Sequence, residues 1–327
     1  MESDTDAEMD MSEIVMNEND DIFDESFHEN VIITQEELNV TTKIDYMNDN
    51  VSAEANTSSL AINDIDAPIK QAFHKSDLKY VFVVPYRQRE EHKHFFDRHM
   101  KYILEDYDEE SYLILYAHQN NELKFNRGGM KNMGFLFIKE NYPDTYKDIV
   151  FIFNDVDTLP YKKDLLEYDC EENEIKHFYG YKFALGGIVA MRGSVFEKLN
   201  GFPSYYSWGY EDNVLQNRAK LNNVPINRET FYTIESHKIL HFFDDLKKLM
   251  SVNVYSNLRK NNLGERDGLD TLKNINYKWN DATNMLDVNH FTSLYNPHTD
   301  KYFVHNYSDG TKVKYGKRIA AMKMKFN

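Results

Sequence analysis

Two aspartates one residue apart, Asp155 and Asp157, follow directly on the apolar run Phe151-Ile152-Phe153 and flank Val156. Carboxylates at that spacing offer hard oxygen ligands to a divalent cation, which can in turn hold a diphosphate. A buried strand that runs into them, with Pro160 ending the segment, would set them beyond the carboxyl end of a sheet, where ligands bind in open α/β folds. Acids capping a strand by chance are common, so D-x-D by itself is a weak signal. The second constellation is Asn200-Gly201-Phe202-Pro203 followed by Ser207-Trp208-Gly209-Tyr210-Glu211-Asp212. A loop rich in Gly and aromatics can cover a substrate and exclude water. The adjacent carboxylates open a helix expected over 212–222, whose dipole favours the ionised form. That suits a general base taking a proton from a hydroxyl; simple helix capping by Glu211 and Asp212 is the plain alternative. The third is the pair His237 and His241. On an extended backbone positions 237, 239 and 241 share a face, so both imidazoles would reach one cation. A lone His is more often structural, and the pair draws its weight from the D-x-D.

Such groups need a sheet to hold them. The apolar runs 80–84, stopped by Pro85, then 112–116 and 148–153, read as strands buried on both faces. Helical patterns over 90–105 and 129–141 lie between them. The alternation predicts an α/β fold with a mostly parallel central sheet flanked by helices. No G-x-G-x-x-G follows the first strand and no Walker A sequence occurs, so dinucleotide and P-loop readings lack support.

The formal net charge of −16 is confined to one end. Residues 1–78 carry 20 acids against 3 lysines, and the rest holds 34 acids against 35 bases. The globular part therefore has no bias toward nucleic acid or an anionic membrane. Residues 1–75 are polar and acidic and are expected to be largely disordered, or to dock a protein partner. Residues 79–308 form the expected catalytic domain, and 309–327, with six Lys or Arg against one Asp, a short basic tail. A single cysteine, Cys170, allows no intrachain disulfide and argues for a reducing compartment. The N-terminus lacks signal-peptide regions, and the apolar runs fall far short of the roughly 20 residues that span a bilayer. The expectation is a soluble, cytoplasmic protein without a membrane span. Abundant Asn, Lys, Asp and Tyr suggest an AT-rich source genome, viral or protist.

In order and spacing these features resemble the β-1,4-galactosyltransferase family over residues 79–305. Val84-Pro85-Tyr86-Arg87-Gln88-Arg89 with His92 is similar to its V-P-[FY]-R-x-R-x-x-H, and Phe125-Asn126-Arg127 with Asn132 to Gly134 and Phe135 to its F-N-R and N-x-G-F. Asp155-Val156-Asp157, Gly186-Gly187, Asn200-Gly201-Phe202-Pro203, Trp208-Gly209-Tyr210-Glu211-Asp212, Asp267-Gly268-Leu269 and Leu286-Asp287-Val288 continue the match. The resemblance implies a GT-A-type fold and an inverting transfer of a hexose or N-acetylhexosamine from a UDP-sugar to a glycan hydroxyl with Mn²⁺ or Mg²⁺. It implies nucleotide contacts from Pro85, Tyr86, Arg87, Arg89, Phe125, Arg127, Asp155 and Val156. It further implies Asp212 as base beside Glu211, and sugar contacts from Ala184, Gly186, Gly187, Trp208, Gly209 and Tyr210. Asp157 and His241 become metal ligands, and Asp244 also matches.

Some positions depart from the family. Its methionine ligand becomes Lys238, leaving His237 as a candidate replacement. The Trp208 loop is one residue short, and Tyr210 replaces a glycine. Ala184 stands where galactose-specific members carry tyrosine, which leaves room for a 2-acetamido group and makes UDP-GalNAc a candidate donor. The family's disulfides and anchor are missing from this sequence. Three alternatives stand beside this reading: a glycoside hydrolase using the paired carboxylates, a non-catalytic glycan- or nucleotide-sugar-binding member, and a chain whose acidic tail is the functional part.

Overall fold

The computed structural model describes residues 73–243, 247–256 and 266–305, with the backbone alone for 32–33, 257–259, 306, 313–315 and 318–320. The first strand, β1 (Tyr80–Tyr86), sits at the middle of the main sheet. It pairs in parallel with β2 (Tyr112–Gln119) on one side and β3 (Val150–Asn154) on the other. The helices α1 (Glu90–Ile103) and α2 (Arg127–Asn141) lie between these strands in sequence, as the spacing predicts. Next come β4 (Thr158–Pro160), β5 (Ile175–Gly180), β6 (Ile188–Arg192), α3 (Gly193–Lys198) and α4 (Glu211–Leu221). They are followed by β7 (Ile226–Asn227), β8 (Tyr232–Thr233), β9 (Ile239–His241), β10 (Lys247–Ser251) and α5 (Val252–Arg259). The chain ends its described part with β11 (Lys273–Asn280), β12 (Met285–Thr292) and β13 (Tyr302–Asn306).

The main sheet runs β11-β12-β2-β1-β3-β6-β5-β7, with β8 also on β5. It is mixed and mostly parallel: β6 opposes both β3 and β5, and β11 opposes β12. Alternate residues of the central strands go to opposite faces. Val81, Val83, Phe151 and Phe153 join one buried cluster with Met130, Met133 and Phe137 of α2. Phe82, Val84, Val150 and Ile152 join another with Phe96, Met100 and Ile103 of α1. Strands covered on both faces have to read as unbroken apolar runs, and these do. Gly134 lets α2 lie close on the sheet, since a Cβ there would stand 2.5 Å from Val83 Cγ1.

Three boundaries differ from expectation. Strand β1 does not stop at Pro85 but continues to Tyr86, with Pro85 opposite Ala117 of β2. Pairing with β3 ends at Val83, so the missing N–H falls where that neighbour has already left the ladder. Strand β3 ends at Asn154, and Pro160 instead closes the separate short strand β4. The folded part also reaches back to Phe73, which is buried against Phe137, Tyr142 and Trp279. Most of 1–75 and of 309–327, and Asp244, lie outside the described residues. Among the described residues no helix is long and apolar enough to cross a membrane.

Candidate active site

At the carboxyl end of β3 the chain turns through Asp155, Val156 and Asp157 into β4. Strand β9 pairs antiparallel with β4, setting His241 opposite Thr158. The Phe242 N–H donates to the Asp157 carbonyl at 2.9 Å. The turn that carries Asp157 thus lies against the end of β9, where His241 and Phe242 sit. Burial and the nearby Asp155 carboxylate push the Asp157 carboxyl up to about 6. Hard carboxylate oxygen beside imidazole nitrogen suits Mn²⁺, and to a lesser degree Mg²⁺. A buried acid raised by a second acid is one that a bound cation would hold ionised, so these residues fit such a metal. Among the described residues no group of three His, Cys, Asp or Glu gathers to hold an ion by protein ligands alone.

His237 does not follow the extended face expected of it. The backbone becomes a strand only at Ile239, and His237 lies exposed in the preceding turn beside exposed Lys238. The His241 Nδ1 instead meets the Tyr179 hydroxyl at 2.6 Å.

The centre of the site is Arg127, the first residue of α2. The Asn126 side chain caps that helix by accepting from Gly129 N–H at 2.7 Å. The Arg127 guanidinium forks onto Asp155, Nε to Oδ1 at 2.8 Å and Nη2 to Oδ2 at 2.7 Å. Its Nη1 donates to Glu211 Oε1 at 2.6 Å and to both Asp212 oxygens at 3.0 and 2.9 Å. One side chain therefore gathers carboxylates from two distant motifs. Lys131, one turn along α2 and 1% exposed, brings its Nζ to 3.4 Å from Asp212 and 4.0 Å from Asp155. Burial, and then the Arg127 charge, hold the Lys131 ammonium below its ordinary range. Burial would raise Asp155, but Arg127 and Lys131 outweigh it and hold that carboxyl low. Glu211 goes the other way, raised by burial and by Asp212, and its Oε2 has no hydrogen-bond partner among the described residues. Lys131 was not singled out in the sequence. Its signal was a second base four residues after Arg127 on an otherwise apolar helix face.

Helix α4 begins at Glu211, one residue before the predicted start, after two residues in the left-handed region: Gly209 at φ +93° and Tyr210 at φ +73°. Tyr210 thus takes a conformation that favours glycine, at a cost of about 1 kcal/mol. The Trp208 side chain is exposed, and the backbone N–H of Trp208 donates to the Leu249 carbonyl at 2.7 Å. Gly186 touches the same helix, since a Cβ there would sit 2.3 Å from Asp212 Oδ2. Leu185 N–H donates to the Asp212 carbonyl at 3.0 Å, and Ala184 is buried just before it. Gly187 O accepts from Asp155 N–H at 3.3 Å, joining this turn to the first acidic pair.

The 181–185 loop hangs on His177, another residue the sequence did not flag. Its Nε2 bridges the carbonyls of Tyr179 and Gly186 at 3.0 and 3.1 Å, while its Nδ1 accepts from Arg228 Nε at 3.1 Å. Burial and then Arg228 lower this imidazole to about 4. Arg228 also donates to the Lys182 carbonyl at 2.9 Å and to Gln216 Oε1 at 2.7 Å.

Of the expected nucleotide residues, Pro85 and Tyr86 are buried at the end of β1, and Arg89 precedes α1. Arg89 lies near enough to Asp157 to oppose the upward push on its carboxyl. Arg87 points elsewhere, its Nη1 donating to the Leu123 carbonyl, and burial lowers it. Phe125 packs on the core beside the Arg127 helix, and Val156 is buried on the opposite face of the sheet.

Residues 33–171 match the family described as the N-terminal region of glycosyl transferase group 7, and residues 166–244 that described as the N-terminal domain of galactosyltransferase. The chain is 35% identical over 162 residues to human β-1,4-galactosyltransferase 4, covering 46% of this chain and 45% of that protein. It is 28% identical over 249 residues to mouse β-1,4-galactosyltransferase 5, covering 69% and 62%. The chain spans about half the length of the first of these relatives. Its fold is similar to the catalytic domain of Drosophila β-1,4-galactosyltransferase 7 in complex with xylobiose, with TM-score 0.54 and 22% identity over 67% of this chain and 94% of that one. A mutant of that Drosophila protein, solved with manganese, UDP-Gal and xylobiose, gives TM-score 0.51, 22% identity and the same coverage. The fold is therefore of the GT-A type.

Proposed function

The chain belongs to the β-1,4-galactosyltransferase family, and from that membership we propose that it is an inverting transferase moving a sugar from a UDP-sugar to a glycan hydroxyl. The observation that supports this reading is the β4–β9 pairing, which sets His241 opposite Thr158 and bonds the Phe242 N–H to the Asp157 carbonyl, next to the carboxylate cluster on Arg127. Asp157 and His241 would hold Mn²⁺, whose charge offsets that developing on the departing diphosphate. Arg127 and Lys131 supply fixed positive charge in a buried setting, where charges act more strongly than in water. Asp212, held by two N–H contacts from Arg127, is the proposed base. It takes the acceptor proton as that oxygen attacks the anomeric carbon from the face opposite UDP, which inverts the centre. Glu211 and Trp208 are assigned to the acceptor. The small Ala184 side chain favours a donor with an N-acetyl group, and UDP-GalNAc is the proposed preference over UDP-Gal.

A donor screen with Mn²⁺ against UDP-Gal, UDP-GalNAc, UDP-GlcNAc and UDP-Glc tests the proposal. Turnover of none of them, transfer to acceptor and hydrolysis both being followed, would leave the non-catalytic reading. Asp157→Ala should abolish metal-dependent UDP binding in calorimetry, and undiminished binding would refute its assignment as a ligand. A hydrolase would need neither UDP nor the cation.

A further inference from the structure

We infer that Tyr179 is a positioning residue that locks His241 in the tautomer presenting Nε2 to a divalent cation. The inference rests on the reading of His241 as a metal ligand. Tyr179 lies on β5, 1% exposed, and its hydroxyl stands 2.6 Å from His241 Nδ1 and 3.3 Å from the Ile234 carbonyl.

A phenol has one proton to give, and a carbonyl can only accept. The arrangement that satisfies both contacts sends the phenol proton to Ile234 O and has Nδ1–H donate to the phenol oxygen. Nε2 then carries the lone pair, the form of imidazole that binds metals. The reverse assignment would face the phenol oxygen against the Ile234 carbonyl with no proton between them. The ring itself has little freedom. A Cβ at Gly187 would come within 2.9 Å of Tyr179 Cδ1, so only glycine lets that turn close over it. The Tyr179 carbonyl is held by His177. Partners of this kind fix ring orientation and raise ligand basicity, and their loss typically weakens metal binding about 10- to 100-fold. With no three-residue ligand group among the described residues, the aim of the imidazole matters all the more.

The test uses the full chain, Mn²⁺ alone as probe, and free Mn²⁺ read by electron paramagnetic resonance, so no turnover is involved. Tyr179→Phe should bind Mn²⁺ about 10- to 100-fold more weakly and show a reduced histidine nitrogen coupling in pulsed spectra. His241→Ala should lose that coupling altogether. If Tyr179→Phe keeps wild-type affinity and coupling while His241→Ala loses them, the positioning role is wrong and the ligand assignment survives. If His241→Ala binds Mn²⁺ as the wild type does, the ligand assignment fails and takes the inference with it. The metal-free wild type provides a check independent of any variant's folding. Nitrogen-15 spectra should find the His241 proton on Nδ1, and a proton on Nε2 overturns the inference.

Discussion

Asp212→Asn isolates the proposed base from everything else that the carboxylate does. The side chain keeps its shape, and its amide oxygen can still accept from Arg127 Nη1, now 2.9 to 3.0 Å from the carboxylate oxygens. Two cations, Arg127 and Lys131, face three acids, Asp155, Glu211 and Asp212. Removing one negative charge brings that group to neutrality and leaves no cation stranded. The cost to folding should be about 1 kcal/mol, the difference between a charged and a neutral hydrogen bond. The cost to chemistry is of another size. Loss of a general base lowers turnover about 10²–10⁴-fold, or about 3–5 kcal/mol of barrier. UDP and Mn²⁺ contact other residues in this scheme, so their binding should stay near that of the wild type. Single-turnover rates with the best donor, chemical denaturation and calorimetry with UDP and Mn²⁺ read the three quantities separately. A fall in turnover of less than tenfold, or a loss of UDP binding as large as the loss of turnover, would falsify the assignment.

Arg127→Met should leave Asp155, Glu211 and Asp212 without their shared guanidinium and cost about 3–5 kcal/mol in urea unfolding; a loss under 1 kcal/mol would mean that solvent already screens the cluster. Stability should also fall with acid because of His177. Its imidazole is lowered from 6.5 to about 4 in the folded chain, so between those values the unfolded chain binds the extra proton. Stability present above pH 6.5 is then lost as pH falls toward 4, by roughly 3 kcal/mol. His177→Gln removes this group, so the wild-type minus variant difference should shrink across that range; a flat difference refutes the assignment. Ala184→Tyr should move donor preference from UDP-GalNAc toward UDP-Gal by about tenfold or more in kcat/KM ratio, and an unchanged ratio would show that Ala184 does not border the donor sugar.

By itself the chain determined its first three strands, the helices between them and the motifs at the site. Runs such as 80–84 and 149–153 are apolar on both faces because helices cover both, and that pattern is local. The acids at 155–157 and 211–212 were legible for the same reason, since the first pair follows a strand and the second opens a helix whose pattern shows in the sequence. What tertiary structure decided is which side chains meet. His241 could be matched in register, but only the pairing of β9 with β4 sets it opposite Thr158, next to the turn that carries Asp157, and leaves His237 in the exposed turn before the strand. In the sequence Lys131 is one helix base among others, and only its burial beside Asp212 gives it a charge to answer. His177 and Tyr179 carried no signal because their partners, Arg228 and His241, arrive from segments far along the chain. Hydrogen bonds and ion pairs act over a few ångströms in space and are blind to sequence separation. Their partners are set by the folded path, which local pattern does not encode.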